Sequence, residues 1–439
     1  MRDNHTAFRL PVFHRLAAAA VLLALSATPA TALVTFTPGT PAKAAEVNAN
    51  FTELSDRLDE VEAWLNGESI GVDCTGDTTA LVSAVAQAGP GDTLNIHGTC
   101  DGPILVTTAG LNLVAVTPGV DGISAPGNDT AVLMIQAPQV SVSGLRVEAT
   151  VPTGSQGILV IRNGSATING IVVTGAENSV SAGRTGSLRL QNTLDVDRVL
   201  AFDGGVVRIE SFPAFGGGDT GFFVGVHRNG TVDIRGGVNA LFSGLRATDG
   251  GHVRGRSGAG VTIRGKLELH RTASALFEGP VTIDYLDDPE NDDPGVSVIE
   301  NATLRFTNPA TVINTSVEVA GSSTLRAAGA DFNASTNPAN GGLIYVGLSS
   351  AIALEGGSAG AIEVSEKSSA YLSGVTLSGT NIWGDAFALE IDASYVGLEQ
   401  ATTVNDKVFV NSNGVLEVEG STINSDLSVF ANSTVSIED

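Results

Sequence analysis

The feature that limits the fold most is a spacing. An apolar residue is followed by a Gly-, Asn- or Ser-rich turn, then by apolar or small residues six and eight positions on. Val226 leads to Val232 and Ile234, Val298 to Leu304 and Phe306, Val346 to Ile352 and Leu354, and Val410 to Leu416 and Val418. Val429 leads to Val435 and Ile437, while Val160 and Val364 fit with alanine in the middle place. Ile391 departs by one residue, with Leu398 seven positions on. Six-and-eight spacing is period-two alternation on one face, entered after a tight turn. Late in the chain the leading residues stand 18 to 27 apart, a drifting period that predicts stacked coils with loops of variable size. At roughly 20–25 residues per coil, strands ~4.8 Å apart give about 15 coils and a rod of roughly 70 Å. A sandwich or propeller explains neither the uneven period nor the single helix at the entry.

That entry is Val72–Val116. Asp77 is read as the N-cap of a short helix, with Leu81, Val85 and Ala88 as its apolar stripe and Gly89-Pro90 as its stop. GDTLNI then opens a strand, and ILV and LNLVAV follow. The succession of helix, PGDTLNI and GTC resembles the N-terminal entry of the pectate-lyase-like superfamily. The resemblance implies an all-β right-handed parallel β-helix, whose open N-terminal end needs a cap that the short amphipathic helix can supply.

The 53 glycines among 439 residues, with aromatics at only 5%, suit many short strands and tight turns. The formal charge of −24 argues against a nucleic-acid partner, because phosphates are repelled. Cys74 and Cys100 flank the entry helix and first strand. In an oxidising compartment a disulfide between them staples helix to coil; two reduced buried thiols are the alternative.

Residues 1–32 read as a signal peptide, with Arg2, Arg9 and Arg15 before the apolar Leu16–Ala27 and a cleavage site at Ala30-Thr31-Ala32. No cysteine follows that site, so a lipoprotein-type anchor is not expected, and no later apolar run suits a membrane span. Residues 33–71 read as linker, coiled-coil helix and a hinge at 67–71. Ala44, Val47, Phe51, Leu54, Leu58, Val61 and Leu65 alternate spacings of three and four. Within that seam Arg57, Leu58, Val61 and Glu62 resemble the short trimer-specifying motif of coiled coils, which implies a homotrimer. The stretch TPAKAAEVNANF resembles one found near the N-termini of exported bacterial proteins of unassigned role. Packing of this helix on its own solenoid as a second cap is the competing reading. Residues 72–439 form the β-helix, whose last coil ends at VSIED with an uncovered strand edge for a partner, or for Glu438 and Asp439, to protect.

Chemistry is sought where charges gather. Asp287, Asp288, Asp292 and Asp293 lie in the run DYLDDPENDD, a projecting loop able to offer oxygen ligands to Ca²⁺; a solvated acidic loop is the plainer reading. The other motifs of polygalacturonase-like enzymes do not accompany its paired aspartates, so no catalytic roles are assigned. Arg254, Arg256, Arg264 and Lys266 form the main basic cluster, a candidate polyanion site; alternation puts Arg254 and Arg256 on one face, and an outward stripe balanced by Asp and Glu of adjacent coils is the plainer reading. The Phe-rich loop Ser211–Phe223 can stack on sugars or pack on the coil below. No nucleotide fingerprint, HExxH or zinc pattern occurs, and cofactor binding beyond Ca²⁺ is not expected. These readings favour an exported, non-catalytic surface or secreted module, adhesin-like or tailspike-like and facing carbohydrate. The alternative is a lyase or glycoside hydrolase acting on an acidic polysaccharide.

Overall fold

The computed structural model describes residues 43–45, 47–55, 67–126, 131–192, 195–211, 222–235, 239–285, 294–332, 343–382 and 385–438. Two compact units are distinguished, 1–66 and 67–439. In the first, residues 44–45 and 47–55 are helical, and Phe51 and Leu54 of the apolar seam are exposed. The signal-peptide residues lie outside the described residues, as do Arg57, Leu58, Val61 and Glu62.

The second unit is a parallel β-solenoid. Its first face is a sheet of 17 strands, one per coil, from Ser69–Asp73 to Thr434–Glu438. After the first coil, whose return holds the helix Ala80–Gln87, the chain turns onto a short second face, which begins with the four-stranded ladder Thr99–Asp101, Gly122–Ala125, Arg146–Ala149 and Val172–Thr174. It turns again onto a third face, running from Ile104–Val106 to Leu427–Val429. Strand Asn239–Ala247 bends across the corner: its first half pairs with Gly260–Ile263 on the second face and its end with Leu267–His270 on the third. Every strand pair among the described residues is parallel except the hairpin Thr380–Ile382 with Asp385–Phe387.

Alternation explains the faces. In the coils that keep the spacing the +6 and +8 residues point inward: Leu304 and Phe306, Leu416 and Val418 are all buried, and only at the last strand is Val435 half-buried and Ile437 exposed. Stacking them coil on coil makes one continuous core, in which each buried aliphatic side chain contributes about 1.5–3 kcal/mol. Phe277 and Phe306 of adjacent coils stack at 5.7 Å. Two-residue turns in the left-handed region join the third face to the first, as at Arg162-Asn163 and Arg271-Thr272. The irregular Ile391 spacing has its cause here, because that corner holds one left-handed residue, Ala393, instead of two.

The entry differs from the sequence reading in two respects. The segment read as a hinge, 67–71, holds the start of the first strand: Ser69–Asp73 pairs with Thr93–His97, and Val72 is buried. The helix spans Ala80–Gln87 with Thr79 at its N-cap. Asp77 instead accepts the Thr79 backbone N–H (3.0 Å) and hydroxyl (2.7 Å), a local turn that outcompetes capping. The 17 strands of the first face agree with the expected solenoid of about 15 coils. Leu81 and Val85 are buried with Leu94 and Ile96 as expected. A Cys74–Cys100 disulfide joins the end of the first coil's strand to strand Thr99–Asp101.

Candidate functional site

Outward residues of the first face fall into columns, because register holds from coil to coil. The central column is the +7 position of the repeat. It carries Arg189, Arg208, Arg254, Arg305 and Arg326. Arg189 is register neighbour to Arg208, and Arg305 to Arg326, so like charges lie about 4.8 Å apart along the sheet. A second column, just past the strand ends, adds Arg235 and Arg256.

Carboxylates compensate only part of this charge. Asp233 accepts from Arg256 Nε at 2.7 Å and Arg235 Nε at 3.0 Å. Burial opposes its ionisation, but these two guanidiniums outweigh burial and hold the Asp233 carboxyl below the ordinary range. Glu278 accepts from Arg254 at 2.8 Å, and Glu210 pairs with Arg189 and, at 3.7 Å, with Arg235. Among the described residues Arg208, Arg305 and Arg326 have no ion-pair partner, and all three are exposed.

The later coils reverse the sign. Glu355, Glu399, Glu417, Glu419 and Glu438 line the same face with no basic residue in its strands. Tyr371 and Tyr395 sit among them, ring centroids 5.5 Å apart. Tyr395 Oη donates to Glu417 at 2.6 Å, and that bond, with burial, holds the phenol un-ionised far above its ordinary range.

The four basic residues singled out in the sequence do not form one patch. Arg254 and Arg256 are on the first face, as alternation predicts. Arg264 and Lys266 lie in the corner between the second and third faces, where Lys266 Nζ is 5.6 Å from the Tyr285 ring. Sequence reading overlooked Arg189, Arg208, Arg305 and Arg326, which are scattered along the chain. The signal was present: each is the residue between two inward positions of the repeat. Asp287, Asp288, Asp292 and Asp293 lie outside the described residues, as does most of the Phe-rich loop. Among the described residues no group of three or more acidic, His or Cys side chains is arranged to hold a metal.

A second concavity opens on the third face, about 440 Å³, lined by Gln156, Leu200, Phe202, His227, Arg228 and Asp249. Thr248 Oγ1 donates to Asp249 Oδ2 (3.1 Å) and lies 2.8 Å from His227 Nδ1. The hydroxyl has one proton, so it accepts from Nδ1–H and leaves the Nε2 lone pair free. Nε2 leans over Gly225, where a Cβ would stand 3.2 Å away. Burial, then Arg246, keeps His227 neutral by lowering its pKa.

No protein-family model matches the chain, and neither does any curated protein. Among solved structures, the PL6 family alginate lyase AlyGC is similar at 12% identity over 84% of this chain and 79% of that one. Its TM-score of 0.27 is too low for the likeness to bear on site or substrate.

Proposed function

We propose that this is an exported, non-catalytic β-solenoid that binds an acidic polysaccharide along the arginine column of its first face. The observation that carries the reading is the stacked, exposed pair Arg305–Arg326, which has no ion-pair partner among the described residues; Arg208 stands in the same column four coils away, beyond Asp233, Arg254 and Leu276. Guanidiniums repeating along a rod suit a linear polymer with repeating carboxylates or sulfates, since each can pair in fork geometry. Export rests on the signal-like residues 1–32 and on the Cys74–Cys100 disulfide, which persists in oxidising compartments. Among the described residues no helix is long and apolar enough to cross a membrane. The entry helix and disulfide act as the N-terminal cap. The exposed Phe51 and Leu54 fit a seam that closes on further copies of the helix, giving a homotrimeric stalk. The test is titration with polygalacturonate, dextran sulfate and neutral dextran. Binding of the two anionic polymers but not dextran, weakened about tenfold or more in R305A/R326A, is expected; equal binding by the variant overturns the reading.

A second reading, a lyase on the same class of polymer, draws on His227. A neutral imidazole beside Arg228 and Arg246 has the parts to take a proton from a carbon next to a carboxylate. Release of unsaturated sugar ends, followed at 235 nm on polygalacturonate, and its loss in H227A would favour this reading.

A further inference from the structure

The first face is charged oppositely along its length, and this gives it a partner. We infer that two copies dock antiparallel through their first faces, related by a two-fold axis at the twelfth strand, Thr324–Ala328. The inference goes beyond the polysaccharide reading but uses the same arginines, so polymer and second copy compete for them.

The register follows from the columns. A two-fold axis along the strand direction reverses the order of coils but keeps each residue's place along its strand. Strand Val206–Ser211 then faces Thr434–Glu438, and His252–Gly255 faces Tyr395–Glu399. In the column past the strand ends, Arg256 meets the second copy's Glu399 and Arg235 meets its Glu419. In the central column Leu276, apolar between Arg254 and Arg305, meets Tyr371, an aromatic that is 49% exposed. Arg208 lies diagonal to Glu438, and Arg305 to Glu355. Three like-charged meetings remain. Asp233 opposes Glu417 and Glu210 opposes Glu438, but Asp233 is held by two arginines, Glu210 by Arg189 and Arg235, and Glu417 by Tyr395; Arg326 meets itself on the axis. A parallel arrangement would instead set the arginines of one copy against those of the other.

The area is sufficient. Eleven overlapping strands ~4.8 Å apart span about 48 Å, and a five-residue strand is about 17 Å long. The product, about 800 Å² per copy, is that of an ordinary specific interface.

The experiment traps this register in the full chain. Among the described residues no cysteine is free, so the background is clean. Leu276 and Tyr371 of one chain are four coils apart, about 19 Å, too far for a disulfide within the chain. L276C/Y371C is expected to run mostly as covalent pairs after oxidation at low salt, and several-fold less at 1 M salt, where charges are screened within ~3 Å. The off-register control L276C/S436C gives no pairs. Adding E399R/E419R to L276C/Y371C abolishes them while polygalacturonate binding persists, so failure of the docking and failure of the polymer reading separate. Absence of pairs from folded L276C/Y371C, or equal pairing by the control, overturns the inference.

Discussion

Two halves of the same solenoid solve the same corner differently. Where the third face turns onto the first, coils six to nine place Gly186, Gly205, Gly230 and Gly251 after the left-handed turn; coils twelve to fifteen place Ser323, Ser350, Ser368 and Ser394 there. A Cβ on Gly186 or Gly205 would meet the carbonyl oxygen of the preceding coil at 2.2 Å. In the serine half the coils leave room, and each hydroxyl accepts a backbone N–H of the coil before it at 3.0–3.1 Å. The charge outside also changes along the face, but not at the same coil: Arg326 already lies in a serine-cornered coil, and Glu417 in one cornered by Gly414. Inward positions and corners hold the coil, so the +7 column is free to carry charge without affecting the fold.

The comparison can be broken from either side. Reversing charge in the basic half has the largest expected effect. R305E/R326E should lose about a hundredfold in affinity for polygalacturonate, ~2.7 kcal/mol, with thermal stability nearly unchanged. A titration and a melting curve on the same sample check both. Next comes the glycine corner. Gly205→Ala should destabilise by about 2–3 kcal/mol in denaturant unfolding, because backbone oxygen cannot step aside as a side chain can. The serine corner is more tolerant: Ser350→Ala keeps the Cβ and loses the hydroxyl, leaving the buried Ser323 N–H unpaired, for about 1–2 kcal/mol.

The smallest effect sharpens the cost of the acidic half. On its third face Glu363 has its pKa raised by burial first, then by Glu390 and Asp392. In the window above the ordinary carboxylate range the folded chain holds more protons than the unfolded one. Stability therefore falls as pH rises from 4.5 through the raised value. Glu363→Gln should raise the melting temperature at pH 7 and leave it unchanged at pH 4, as scanning calorimetry at the two pH values would show.

The fold was legible because its cause is local and repeated. The spacing from Val298 to Leu304 and Phe306 is the corner plus two inward positions, and it recurs in almost every coil. The hinge reading failed at Ser69–Asp73 because only Ile70 and Val72 alternate there, and their partner Thr93–His97 lies beyond the helix. The site was harder to see. Arg208 and Arg305 are far apart in sequence and become one column only through register, whereas Arg264 and Lys266 are close to Arg256 in sequence yet turn a corner away from it. Searching for clusters of charge along the chain finds the second kind of set and misses the first.

The central claim is that the arginine column is the polymer-binding surface, and its most direct test is the salt dependence of that binding. Polygalacturonate affinity would be measured by titration between 50 and 200 mM salt for the full chain and for R208A/R305A/R326A. Each guanidinium paired with a polymer charge adds close to one unit to the slope of log affinity against log salt, by the counterion-release rule established for other polyanions. The prediction is a slope shallower by about two to three units in the variant. An unchanged slope and affinity would contradict it and place the interaction, if any, elsewhere on the molecule.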